Sequence, residues 1–110
     1  MVSVVSDLPF DAKGVAAEFV AARRSAGAFT KYPGAIPPDL DAAYRCQDEA
    51  ISLWDDAIAG WKVGWIPEPF SEKYGEQRLV GPIFRRALRH VDGAAAVATP
   101  VFERGFAAIE

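Results

Sequence analysis

Between Leu40 and Ile66 the spacing of the apolar residues changes period, and no single element accommodates both halves. Leu40, Tyr44, Gln47, Ile51, Trp54 and Ile58 recur at steps of four and three, which places them on one face of a helix. After Gly60, Trp61, Val63 and Trp65 alternate with Lys62, Gly64 and Ile66, the period of two that defines a strand. A helix must therefore be followed directly by a strand. Asp39 or Asp41 is placed to cap the helix, which this reading carries through about Ile58. Asp48, Glu49, Asp55 and Asp56 lie off the apolar stripe and are expected to face water. Gln47 breaks the rule, being a polar side chain in the middle of the stripe.

The flanking segments fit the same scheme. A short lead-in from Met1 to Phe10 ends at Asp11, a helix cap. Val15, Phe19, Ala22 and Ala26 keep helical spacing between Lys13 and Ala26. Arg23 and Arg24 suit the negative end of the helix dipole there, and Gly27 can close the turn. Thr30 to Pro38 holds Pro33-Gly34 and Pro37-Pro38, so it reads as an irregular connector. Pro67 and Pro69 end the first strand. Phe70 to Gly75 is a helical turn or a loop, and Leu79 to Phe84 is a second strand, irregular or at an edge because of Gly81-Pro82. An Asp92-Gly93 turn follows, and Gly105 to Glu110 reads as the start of a further strand. Two helices followed by short strands make an α+β chain.

Composition excludes several classes. The 110 residues are 51% hydrophobic and 25% charged, the balance of one globular domain rather than a disordered chain. The net charge is −3. The densest basic cluster, Arg85, Arg86 and Arg89, has Asp92 and Glu103 near it in sequence, so no basic face for nucleic acid is expected. One cysteine, Cys46, precludes an intrachain disulfide and a cysteine-rich zinc site, in keeping with a cytoplasmic protein. The longest uncharged run, Gly93 to Phe102, is about half a membrane span and contains Pro100, so no membrane partner is expected.

The chemistry centres on Gly60-Trp61-Lys62-Val63-Gly64-Trp65. Alternation puts Trp61, Val63 and Trp65 on one side, expected to be the packed one, and Lys62 on the other. Gly60 and Gly64 flank Lys62 without side chains to cover it. The result is a shallow floor with one cation and accessible backbone, on which a small carboxylate or keto acid can lie. Gln47 either reaches into a pocket or satisfies backbone groups beneath the strand. Tyr44 reads as a core aromatic with its hydroxyl at the rim, and Cys46 as a small buried hydrophobe. His90 and Glu103 read as surface residues.

Ala43-Tyr44-Arg45-Cys46-Gln47, Gly60-Trp61-Lys62-Val63-Gly64, Gly81-Pro82-Ile83-Phe84 and Phe102-Glu103 through Glu110 occur in an order that resembles the 2-keto-4-pentenoate hydratases. That family, with the related 4-oxalocrotonate decarboxylases, belongs to the fumarylacetoacetate hydrolase superfamily. The likeness covers about residues 12 to 110 and corresponds to the N-terminal part of such an enzyme. It implies an incomplete fumarylacetoacetate-hydrolase-like fold. It also implies hydro-lyase chemistry, the addition of water to a 2-hydroxy-dienoate in aromatic catabolism, assisted by a divalent metal (magnesium or manganese). Lys62 then lies beside the 2-oxo acid, with Gly60, Gly64 and Gln47 contacting substrate. Glu110 matches the first carboxylate of the family's Glu-x-Glu metal pair and is the last residue of the sequence. The second glutamate and the later ligand are not in it, so the chain is expected to be a truncated hydratase, inactive by itself. A module that associates with a complementary or paralogous chain, a homo-oligomer, and a fragment of a decarboxylase or acylpyruvate hydrolase are the alternatives.

Overall fold

The computed structural model describes residues 10–94 and 96–106. The expected lead-in at residues 1–9, the end of the expected last strand and Glu110 lie outside these residues. Helix α1 spans Ala12–Ser25 and helix α2 spans Leu40–Leu53. Each begins where an aspartate satisfies free amides of the first turn. Gly14 N–H donates to Asp11 Oδ1 at 3.0 Å, and Ala42 N–H donates to Asp39 Oδ1 at 2.7 Å. Of the two capping candidates for α2, Asp39 performs the task.

The helices pack through small residues. Ala16 and Ala42 expose no surface, and Val15 and Cys46 join Ala16 in the core, with Phe10, Tyr32 and Ala50 around it. Side chains this small let the helices approach closely, but they remove little apolar area from water. Phe19 meets both Phe29 and Tyr32 edge-on at 5.4 Å, which folds the connector back over α1. Gly34 is required in that connector. Its φ is +135°, and a Cβ there would lie 2.9 Å from Val15 Cγ2.

Two helix ends differ from expectation. At the end of α1 it is Ala26, not Gly27, that takes the left-handed conformation, with φ 55°. Gly27 N–H nevertheless closes the turn by donating to Ala22 O at 2.8 Å. Helix α2 stops at Leu53, five residues before Ile58. Asp55 and Asp56 would oppose the negative end of the helix dipole, and Asp56 instead builds a turn. Its Oδ1 accepts from Ala57 N–H and its Oδ2 from Arg86 N–H, both at 2.8 Å. Ile58 consequently opens a strand.

That strand, β1 (Ile58–Trp65), pairs antiparallel with β2 (Arg78–Phe84), and a short helix α3 (Phe70–Tyr74) lies between them. A one-turn 3₁₀ helix, Arg85–Ala87, follows β2. The described residues thus form a small α+β domain of three α-helices and a two-stranded sheet. Tyr74 O–H donates to Pro37 O at 2.9 Å and ties α3 to the connector. Gly105 and Phe106 are not in a strand; Arg104, with φ 54°, turns the chain just before them.

The ribbon meets the helices edge-on. Val80 N–H points away from β1 and donates to Tyr44 Oη on α2 at 3.0 Å. Two residues on, at the next outward-facing backbone position, stands Pro82, which has no N–H to satisfy. The outer edge of β2 thereby meets α2, and Phe84 at the end of β2 is buried against Trp54, while the large side chains of β1 are left uncovered. This corrects the expectation for the aromatic side: Trp61, Val63 and Trp65 are 52%, 59% and 65% exposed.

Candidate functional site

Register decides what surrounds Lys62. Directly opposed residues of an antiparallel pair share a face, and Lys62 is opposite Gly81, Gly60 opposite Ile83, and Gly64 opposite Leu79. The lysine therefore has a glycine two residues away in each direction along its own strand and a third glycine across from it. A Cβ at Gly60 would find nothing within 4 Å, one at Gly64 only Leu79 Cδ1 at 3.8 Å, and one at Gly81 only Gln47 Oε1 at 3.7 Å. The floor is open.

The last of these distances brings in a second expected residue. Gln47 reaches from α2 over the edge of β2 to the position of Gly81, beside the lysine. It is half-buried and also lines an apolar cavity of about 160 Å³ between α1, α2 and β2, together with Phe19, Ile51, Trp54, Pro82 and Phe84. Three of the five expected site residues, Lys62, Gly60 and Gly64, thus share one face of the ribbon, and a fourth, Gln47, reaches its edge at Gly81. Glu110 is outside the described residues. Gly81 was not anticipated in this role. As a sequence feature, Gly81-Pro82 signals an irregular strand, and only the pairing register turns it into the third side of the floor.

The indoles lie on the opposite face. Trp61, Val63 and Trp65 are opposed by Pro82, Val80 and Arg78, and the Arg78 guanidinium carbon sits 3.8 Å from the Trp65 ring centroid. Neither Lys62 nor its flanking glycines line the apolar cavity between α1, α2 and β2. The arrangement is a surface for laying down a small anion, with backbone at hand on three sides, and it encloses nothing.

Other titratable groups are structural. Burial raises the Cys46 thiol above its ordinary range, which keeps it neutral and unreactive. Burial also raises the Tyr32 hydroxyl, with smaller contributions from Cys46 and Tyr74. His90 is exposed. Among the described residues no three His, Cys, Asp or Glu side chains come together to hold a metal ion. No helix among them is long and apolar enough to cross a membrane. Comparisons with protein-family models, with curated proteins and with solved structures found no match.

Proposed function

We propose that this chain is a hydratase-like module that holds a short 2-oxo or 2-hydroxy-dienoic acid on the face of its β-ribbon. The supporting observation is the placement of Lys62 among Gly60, Gly64 and Gly81, with Gln47 alongside. An ammonium group in such a setting neutralises a carboxylate, and bare backbone lets a flat oxo acid approach closely. The same charge would stabilise an enolate as it develops. Lys62 contacts the anion, Gly60 and Gly64 form the surface beneath it, and Gln47 supplies a neutral donor and acceptor at the rim.

The resemblance to the 2-keto-4-pentenoate hydratases supplies the reaction class, addition of water to a dienoate, within an incomplete fumarylacetoacetate-hydrolase-like fold. It also assigns Glu110 to a divalent metal. The described residues do not fit such an ion, because they bring no ligand set together, so the part of the chemistry proposed for them is anion binding alone. Magnesium or manganese would need ligands beyond the described residues, and bound there it would supply Lewis-acid chemistry.

The test is calorimetric titration with 2-oxopentanoate and magnesium, beside the ultraviolet absorbance of the 2-hydroxypentadienoate substrate. Saturable binding that falls at least about tenfold in Lys62→Met, with no protein-dependent loss of dienoate absorbance, is the expected result. Equal binding by wild type and Lys62→Met would remove the basis of the proposal. Rapid turnover by the chain alone would overturn the assignment of binding without catalysis.

A second reading, a module that associates with another chain, is favoured by the exposed Trp61, Val63 and Trp65 face, since uncovered apolar surface recruits partners. A strictly monomeric mass by light scattering across a concentration series would count against self-association.

A further inference from the structure

Three arginines that the Lys62 site leaves unused line a second location. Arg23 of α1, Arg86 of the 3₁₀ helix and Arg89 line a groove of about 410 Å³, a volume suited to a small organic ligand, whose walls include Trp54, Phe84 and Phe102. The segment at 97–102 forms one side of it. The residue after that segment anchors it, as Glu103 N–H donates to Ala26 O at 2.9 Å.

The charge in this groove is only partly neutralised from within. Its one carboxylate, Asp56, accepts from the backbone amides of Ala57 and Arg86 and lies 3.9 Å from Arg86 Nε. The Asp56 side chain is 6% exposed while that of Arg86 is 73% exposed. Three guanidiniums thus face one sequestered carboxylate, in a chain whose net charge is −3.

Arg23 is the preorganised member. Its guanidinium carbon lies over the Trp54 ring at 4.7 Å and over the Phe84 ring at 5.2 Å from the centroids. The two rings are themselves 5.9 Å apart. Stacking of this kind restrains a guanidinium while leaving its in-plane N–H donors at the margin of the rings. The neighbouring Arg24 is consumed differently, donating through Nη2 to Leu53 O at 2.7 Å at the end of α2. Among the described residues Arg23 has no ion-pair partner and donates no hydrogen bond.

We propose that this groove is a binding site for a small aryl carboxylate. The carboxylate is held by Arg23 with Arg86 and Arg89, and the ring lies against Trp54, Phe84 and Phe102. Planar donors match a carboxylate two bonds at a time, and aromatic walls favour a flat apolar body. The site is separate from the Lys62 floor and does not rest on the reading given for it.

The test uses the full chain carrying Trp61→Phe and Trp65→Phe, which leaves Trp54 as the single indole. Benzoate is the probe, with benzamide and inorganic phosphate as controls, and binding is read by Trp54 fluorescence and by calorimetry. Benzoate is expected to change Trp54 emission saturably, with both controls at least about tenfold weaker, and to weaken as salt is raised. Arg23→Gln and Arg89→Gln should each reduce benzoate affinity about tenfold, while Lys62→Met leaves it unchanged. Arg89 is exposed outside any helix or strand, so its variant keeps the test sound should Arg23→Gln disturb the helix packing. Equal binding of benzamide or phosphate, an unaltered affinity in Arg89→Gln, or a loss of benzoate binding in Lys62→Met would each overturn the proposal.

Discussion

The helical pair and the ribbon contain comparable stocks of apolar residues and treat them oppositely. Along α1 and α2 the buried positions are small, Ala16, Ala42 and Cys46 among them, and they are sealed by direct helix-to-helix contact. Along β1 the large residues Trp61, Val63 and Trp65 face outward. The cause is the angle of approach: α2 abuts the edge of β2 through the bond from Val80 N–H to Tyr44 Oη, so Phe84 at the end of β2 is buried against Trp54 and Arg23 while the large side chains of β1 stay uncovered. Stability is thus concentrated where side chains are small, and the potential for recognition where they are large or absent. The difference also accounts for Lys62, since a sheet face covered by a helix would have no room for an anion.

Substitutions can break this comparison at either end. The largest effect is expected for Ala42→Leu, which forces a branched side chain into a contact with no spare surface and should cost about 1–3 kcal/mol in urea unfolding. Trp61→Thr, although it removes far more apolar area, should change stability by no more than about 0.5 kcal/mol. If the two losses were equal, the division of labour would be wrong. Asp39→Ala removes the cap of α2 and should cost about 1 kcal/mol by the same measurement. Ala26→Gly acts in the opposite sense. The left-handed backbone at φ 55° strains alanine, and glycine there should stabilise the chain by about 0.5–1 kcal/mol.

A subtler distinction is expected with pH. Burial raises both the Cys46 thiol and the Tyr32 hydroxyl above their ordinary values of 9.0 and 10.0. The unfolded chain therefore loses these protons first, so their contribution is fully present below about pH 9 and is lost as pH rises through the folded-state values. Thermal midpoints recorded from about pH 8 to about pH 10 should fall more steeply for the wild type than for Cys46→Ala. An identical slope in both proteins would contradict it.

Much of the chain was legible because its signals are local. Asp11 and Asp39 announce helix starts through the amides that follow them, and the change of period at Gly60 marks the strand. Gly81-Pro82 suggested an irregular or edge strand; β2 is an edge, but its pairing is regular there and the one irregularity falls at Ile58/Gly60 of β1. What was hidden depends on partners distant in sequence. Ile58 continues the helical stripe numerically, but Asp56 terminates the helix by binding Ala57 and Arg86, the latter thirty positions away. The two indoles satisfy the pattern of a packed strand face, and only the edge-on placement of α2 leaves them outside. Gly81 joins Lys62 through register, which alternation within one strand cannot supply. Gln47, the polar exception in an apolar stripe, proved informative because it ends beside that glycine.

The most direct test of the Lys62 floor is an amide-resolved NMR titration with 2-oxopentanoate. The backbone amides of Gly60, Gly64 and Gly81 and the side-chain amide of Gln47 should shift along one saturable curve and stay still in Lys62→Met. Shifts that spare these glycines, or that persist when the ammonium is gone, would contradict the account.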